Sequence, residues 1–279
     1  MNKFLNSTRN RVRLFISLIN HAKGFKYKTI IGNYLLRNLL GRFFSSLKPK
    51  KEIFLKMDEL KFYFAPGQSE LSPYPEICHE KIYEKDARFM PKEGNTVMDI
   101  GGHIGIFTII SAKRCGETGK LFTYEPNPET FKRLKKNIEV NKLTQVQLNN
   151  LAVSEKDGLL NMKIGDSSQG STIMEKGTLS DYSKTVSVQT CTLDNIVSVN
   201  DILKIDILKI DAEGAELLIL KGGMKQALPI TKKIMIETHS TKLKRECKKI
   251  LGSEGFNFVL DIPSGTNDLG QCSLVYFTR

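Results

Sequence analysis

Three carboxylates crowd into the short stretch Asp211-Ala212-Glu213-Gly214-Ala215-Glu216, directly after the run Leu208-Lys209-Ile210, which reads as the end of a strand. Negative charges this close repel one another, and a helix dipole accounts for only part of such clustering. Asp211 and Glu213 are therefore candidates for binding or proton transfer, with Glu216 a candidate for holding backbone. Another apolar run ends in Glu237-Thr238-His239. In a doubly wound sheet that run lies beside the first, so His239 is expected over the same crevice as Asp211. A histidine titrates near neutral pH and suits the deprotonation of a hydroxyl. Asp211, Glu213 and Glu237 also offer oxygen ligands to a divalent cation.

Upstream, Asp99-Ile100-Gly101-Gly102-His103-Ile104-Gly105 joins a short apolar run to an apolar helix. Such a glycine turn lets a ligand approach bare backbone at the carboxyl edge of a parallel sheet. Ile100 stands where the dinucleotide fingerprint needs glycine. Asp99 at the strand tip is also ill placed beside a diphosphate. It suits an ammonium group, such as that in the methionine part of S-adenosylmethionine. Farther on, Tyr124-Glu125-Pro126-Asn127 places Glu125 at the next strand's end, where an acid can accept hydrogen bonds from ribose hydroxyls. The end of a third strand, Asn150-Leu151-Ala152-Val153-Ser154, is expected to border the adenine, where small or apolar groups such as Ala152 suffice.

Positioning these residues requires repeated strand–helix units, and from Thr96 onward the chain has that pattern of short apolar runs and amphipathic helices. Strands are expected at 96–100, 120–125, 145–151, 203–210, 233–238, 256–260 and 273–278, and helices at 105–115, 128–141, 213–220 and 242–251. Further strands are expected at 159–164 and 185–190, around a loop whose Ser167, Ser168, Ser171 and Thr172 suit an acceptor's hydroxyls. The fold class is α/β, a doubly wound, mainly parallel seven-stranded Rossmann-like sheet. Before it, residues 53–64 read as a strand or hairpin, Pro66, Gly67, Pro73 and Pro75 as a loop, and 77–89 as helical. We divide the chain into 1–90, a basic helical extension and lid, and 91–279, the catalytic domain.

The net charge of +12 belongs to that extension, because twelve basic residues precede the first acid, Glu52, and the remaining 30 basic and 30 acidic residues balance. Val12, Phe15, Ile16 and Ile19 share one helical face, and Ile31, Tyr34, Leu35 and Leu39 share another. Basic amphipathic helices suit peripheral contact with an anionic membrane, and equally suit packing on the domain as a lid or oligomer contact. No apolar run reaches the length needed to span a bilayer. The odd, scattered cysteines Cys78, Cys115, Cys191, Cys247 and Cys272 argue against a disulfide framework or a zinc site. The expected location is the cytoplasm, including the inner membrane face.

Together, VMDIGGHIGIFTI, YEPNPETFKRLKKNIEVN, NLAVSEKDG, TLDNI and LKIDAEGAE resemble, in order and spacing, the FkbM family of S-adenosylmethionine-dependent methyltransferases over about residues 95–262. The resemblance implies strand order 3-2-1-4-5-7-6 with the last strand antiparallel, and transfer mostly to hydroxyl oxygens. By position it assigns Asp99, Gly101 and Gly105 to the methionine side of the cofactor, Glu125 to the ribose and Asp211 to the reaction centre. Gly102, His103, Pro126, Asn127 and Ala152 complete the expected cofactor set, and Asp211, Glu213 and His239 the catalytic one. The expected function is O-methylation of a sugar, a glycan (including a lipid-linked one) or a small natural product. A nucleic-acid methyltransferase is the enzyme alternative, disfavoured by the lack of an N/D-P-P-Y/F tetrapeptide or an aromatic-rich patch. A catalytically inactive membrane-surface module is the non-enzyme alternative.

Overall fold

The computed structural model describes residues 15–40, 51–65, 70–165, 182–267 and 270–279, with isolated positions between 44 and 49. The N-terminal elements are helix α1 (15–21), α2 (Phe25–Leu40), the hairpin β1 (Ile53–Met57) and β2 (Leu60–Phe64), and α3 (Pro73–Cys78). Then come β3 (Thr96–Ile100), α4 (Ile106–Cys115), β4 (Lys120–Tyr124), α5 (Pro128–Val140), β5 (Val146–Asn149) and β6 (Ala152–Val153). The hairpin β7 (Gly158–Gly165) and β8 (Tyr182–Cys191) precedes α6 (Leu193–Val199), β9 (Ile207–Asp211), α7 (Glu216–Lys221), β10 (Lys233–Thr238) and α8 (Thr241–Ser253). The chain ends with β11 (Asn257–Asn267) and β12 (Gly270–Thr278).

Seven strands form one sheet in the order β11-β12-β10-β9-β3-β4-β5. The neighbours β5, β4, β3, β9 and β10 are parallel, and β12 runs antiparallel to β10 and β11. Counting only these strands along the chain gives 3-2-1-4-5-7-6, as the resemblance implied. The two-residue period of a strand sorts side chains between the sheet's faces. Met98, Ile100, Leu208, Ile210, Ile234 and Ile236 share one buried cluster with residues of α6, α7 and α8. Val97, Ile207 and Met235 share the other with α4, α5 and the N-terminal elements.

The N-terminal hairpin is tied to the sheet's helical cover through backbone. Asn137 of α5 accepts from Tyr63 N at 2.6 Å, and Asn141 accepts from Lys61 N at 3.0 Å and donates to Lys61 O at 2.7 Å. Glu70 is capped by Arg133 of α5 at 2.6 Å. Leu18, Ile31, Tyr34, Leu55, Phe62 and Phe64 are all in the same core cluster as α4.

Several expected boundaries move for local reasons. In α1 it is Leu18 that is buried, while Ile16 points outward, and Val12 and the side chain of Leu39 lie outside the described residues. Pro73 and Pro75 lie in the first turn of α3, where a proline's missing N–H costs nothing, rather than in a loop. The expected helix over 77–89 breaks at Lys81, whose φ of 52° is left-handed, into α3 and two 3₁₀ turns at Ile82–Glu84 and Ala87–Phe89. The expected strand 145–151 splits at Asn150, whose side chain donates to Glu125 O and Pro126 O at 2.8 and 3.0 Å, so β6 joins β8 and β7 in a separate small sheet. The start expected at Leu203 falls back to Ile207, because Leu203 is exposed and only Ile205 pairs before it. Pro66, Gly67 and the serine-rich segment 167–172 lie outside the described residues.

Candidate active site

A cavity opens at the carboxyl edge of the parallel strands. Its walls include Gly101, Gly102 and His103 after β3, Tyr124, Glu125 and Pro126 after β4, and Leu151, Ala152 and Val153 around β6. Lys209, Asp211, Ala212 and Glu213 close it from β9, and Pro73, Ile77 and Tyr83 close it from the N-terminal segment.

The glycine turn is dictated by backbone crowding. Gly101 has φ 81°, and a Cβ there would lie 1.8 Å from the carbonyl oxygen of Asp211, so only glycine lets the β3 and β9 loops meet. Gly105, φ 91°, begins α4 against Leu134 and does not line the cavity. Glu125 is anchored by backbone, its Oε2 accepting from His103 N and its Oε1 from Asn127 N, both at 2.9 Å. Burial pushes its carboxyl up to about 7 against these donors. The Asn127 side chain caps α5 by accepting from Glu129 N at 3.0 Å, so its part is to hold this corner rather than to face the cavity.

Sheet register builds the charged end. Asp99 pairs across the sheet with Lys209, and Asp211 with Glu237, so alternation turns all four side chains to one face. Lys209 was not singled out from the sequence, yet it is the centre of the group. Its Nζ donates to Gly101 O at 2.7 Å and lies 3.0 Å from Asp99 Oδ1 and 3.7 Å from Asp211 Oδ2, with 3% of the residue exposed. Burial works against its charge, but Asp99 first and Asp211 next hold the ammonium above its usual range. Asp99 therefore differs from expectation. It is 1% exposed, bonded to Thr108 Oγ1 at 2.6 Å and covered by Lys209, and it is absent from the cavity wall. The cation its carboxylate meets in this structure is that of Lys209.

Tyr83 was likewise missed. Its hydroxyl donates to Asp211 Oδ2 at 3.3 Å, and its ring packs edge-on against Phe107 with centroids 5.0 Å apart.

Glu213 and Gly214 both have left-handed backbone, φ 49° and 104°, so α7 starts at Glu216 rather than at Glu213. That turn places Glu213 on the cavity wall, outside any helix. Burial, with Asp211 next, pushes its carboxyl up to about 8. Behind it, Glu216 is fully buried and accepts from Gly214 N and from His239 Nδ1, each at 2.8 Å. His239 Nε2 lies 3.4 Å from Glu213 Oε2 and 3.8 Å from Asp211 Oδ1. Burial opposes its charge, yet the bond and charge of Glu216, then Asp211 and Glu213, push its imidazolium up to about 10. A value that high favours the imidazolium at neutral pH, in which form His239 is a cation beside Asp211 and Glu213.

The raised His239 value also fixes a sign. A histidine protonated more readily in the folded than in the unfolded state contributes stability that is complete below pH about 6.5 and is lost as the pH climbs toward 10. Glu216→Gln removes the partner, so melting temperatures taken between pH 6 and 10 are expected to lose much of that slope; an unchanged slope would refute the assignment.

A divalent ion was a candidate here. Among the described residues, the group of three whose ligand atoms converge is His21, Asp58 and His79, away from the cavity. Its two imidazoles stack with centroids 3.3 Å apart, so one ion cannot lie in both ring planes. Asp211 and Glu213 instead both lie within 4 Å of His239 Nε2.

A pattern defining the methyltransferase FkbM domain matches residues 99–264. The chain belongs to the FkbM methyltransferase family. The chain is 29% identical over 161 residues to the hexuronic acid methyltransferase AglP of Haloferax volcanii, covering 57% of this chain and 62% of that protein. It therefore spans somewhat under two thirds of that relative's length. It is 23% identical over 208 residues to Methyltransferase 1 of Beauveria bassiana, covering 68% of this chain and 82% of the relative. A solved structure from Pyrococcus horikoshii, PH0793, shares the fold with a TM-score of 0.51 at 12% identity, over 88% of this chain and 82% of that one. For this FkbM-family chain the matched span begins at Asp99 and includes every expected site residue.

Proposed function

We propose that the chain is an S-adenosylmethionine-dependent O-methyltransferase acting on a hydroxyl of a sugar or sugar acid. The observation that carries this is one cavity with two chemically different ends, a backbone-anchored carboxylate at Glu125 and a carboxylate pair at Asp211 and Glu213. The first end fits the cofactor. Gly102 has no room for a side chain, since a Cβ would meet Thr123 at 2.3 Å, so the wall over Gly101, Gly102 and His103 is backbone against which an amino-acid chain can lie. Glu125 keeps lone pairs for two ribose hydroxyls after accepting from His103 and Asn127. Pro126, Leu151, Ala152 and Val153 offer the apolar walls an adenine needs. When bound, the cofactor supplies an electrophilic methyl group on a sulfonium.

The protein's task is then to align an acceptor oxygen and remove its proton. Glu213 is the base in this reading, because its carboxyl near 8 suits a proton transfer at physiological pH. Asp211 is engaged by Tyr83 and Lys209 and orients the acceptor. His239 stays charged and fixes Glu213 through Nε2. The sugar class rests on the hexuronic acid methyltransferase among the relatives.

Calorimetric titration with S-adenosylmethionine and its demethylated product tests the cofactor. Glu125→Ala is expected to weaken both by at least about tenfold, the value of one charge-assisted hydrogen bond. A folded wild-type protein that binds neither ligand would overturn the proposal. Transfer of labelled methyl to uronic acids, neutral sugars and non-sugar alcohols then separates the acceptor classes.

A further inference from the structure

Helix α2 has two apolar faces, and only one is used. Tyr27, Ile31 and Tyr34 turn toward the core, where Ile31 and Tyr34 are buried. On the other side Phe25 is 86% exposed and Leu36 53%, with Leu40 also exposed. At 3.6 residues per turn, Phe25, Thr29, Leu36 and Leu40 fall within about 60° of arc. Lys28 borders this stripe on one side, and Lys26 and Arg37 border it on the other. Exposed Ile16 and Phe44 flank the helix in sequence.

We propose that this face of α2 docks on an anionic lipid surface, with the aromatic and leucine side chains entering the headgroup boundary and the flanking cations meeting lipid phosphates. An apolar stripe with basic flanks is the pattern of a helix lying in that interface. Charge selects this occupant over the others. No acid occurs before Glu52, while Lys26, Lys28, Arg37, Arg42, Lys48, Lys50 and Lys51 surround the stripe in sequence; His21 and Lys23 are instead paired with Asp58 and Glu59 of the hairpin. A second copy of the chain seated on the same face would bring these cations against their equivalents. Residues 1–14, with Lys3, Arg9, Arg11 and Arg13, would do the same. An anionic bilayer is attracted by every one of them.

The test is sedimentation of the full chain with phosphatidylcholine vesicles, with and without phosphatidylglycerol. Binding is expected only to the anionic vesicles, weakening with salt. Phe25→Glu and Leu36→Glu are each expected to reduce it at least about tenfold, as is the pair Lys26→Glu with Lys28→Glu. These side chains are exposed, so the melting temperature should be unchanged. Equal binding to both vesicles, no binding, or binding indifferent to all the variants overturns the proposal. So does a wild-type dimer that Phe25→Glu converts to monomer, which would make a second copy the occupant.

Discussion

Lys209→Met is expected to leave a protein that melts far below wild type and no longer binds cofactor. The substitution keeps most of the side-chain volume and removes an almost fully buried charge. Asp99 and Asp211 would then face each other across the sheet, with Gly101 O also losing its donor. Removing one partner of a buried ion pair costs about 3–5 kcal/mol. For a chain of this size that corresponds to a fall in Tm of roughly 10 °C. Because the same ammonium ties Gly101 to β9, the glycine turn loses its position along with its stability. Adding Asp99→Asn to Lys209→Met should restore part of the lost Tm, since one of the stranded charges is gone. Differential scanning calorimetry of the two single variants and the double gives the coupling directly. Additive losses would show that Lys209 and Asp99 do not act as a pair.

Glu213→Gln is expected to have the opposite profile, an enzyme that folds and binds cofactor normally but transfers methyl groups about 10²–10³-fold more slowly, the usual worth of a positioned base. Its side chain is partly exposed on the cavity wall, and glutamine preserves shape and the turn at φ 49°. The pH profile sharpens the prediction. A carboxyl held near 8 is mostly protonated at pH 7 and becomes a competent base as the pH rises. Wild-type kcat should therefore climb through about pH 8, and that rising limb should vanish in Glu213→Gln. A variant that keeps the limb, or loses less than about threefold in kcat, would transfer the role of base to Asp211.

The strands that carry the cofactor end were readable because each is short, apolar and punctuated by Gly, Pro or Asn. β3 and β10 have the bounds expected of them, and Gly101, Glu125, Asp211 and Glu213 do converge. The charged face was harder to read for a physical reason. A carboxylate at a strand's end is conspicuous, whereas Lys209 sits two residues inside, and its meaning depends on which strand lies alongside. The signal was nonetheless present. A lysine in the centre of a strand covered on both sides must have an anion as cross-strand neighbour. The contact of Asp99 with Lys209 was hidden for the same reason, since it too is made between strands. Tyr83 lay beyond reach because its contact with Asp211 spans 128 positions in the chain and depends on the break at Lys81. His239 was placed correctly, but its proton depends on Glu216, which was assigned only to backbone.

The origins of the cavity walls have a consequence for how such a protein can change. The cofactor end is assembled from the tips of β3 and β4 and from β6, elements whose register the whole domain depends on. The opposite end borrows Pro73, Ile77 and Tyr83 from a segment outside the sheet and Met162 from an outlying hairpin. Selection can therefore act on the two ends almost independently, and a lineage can acquire a new acceptor by rewriting two peripheral stretches while the machinery for delivering the methyl group is inherited intact.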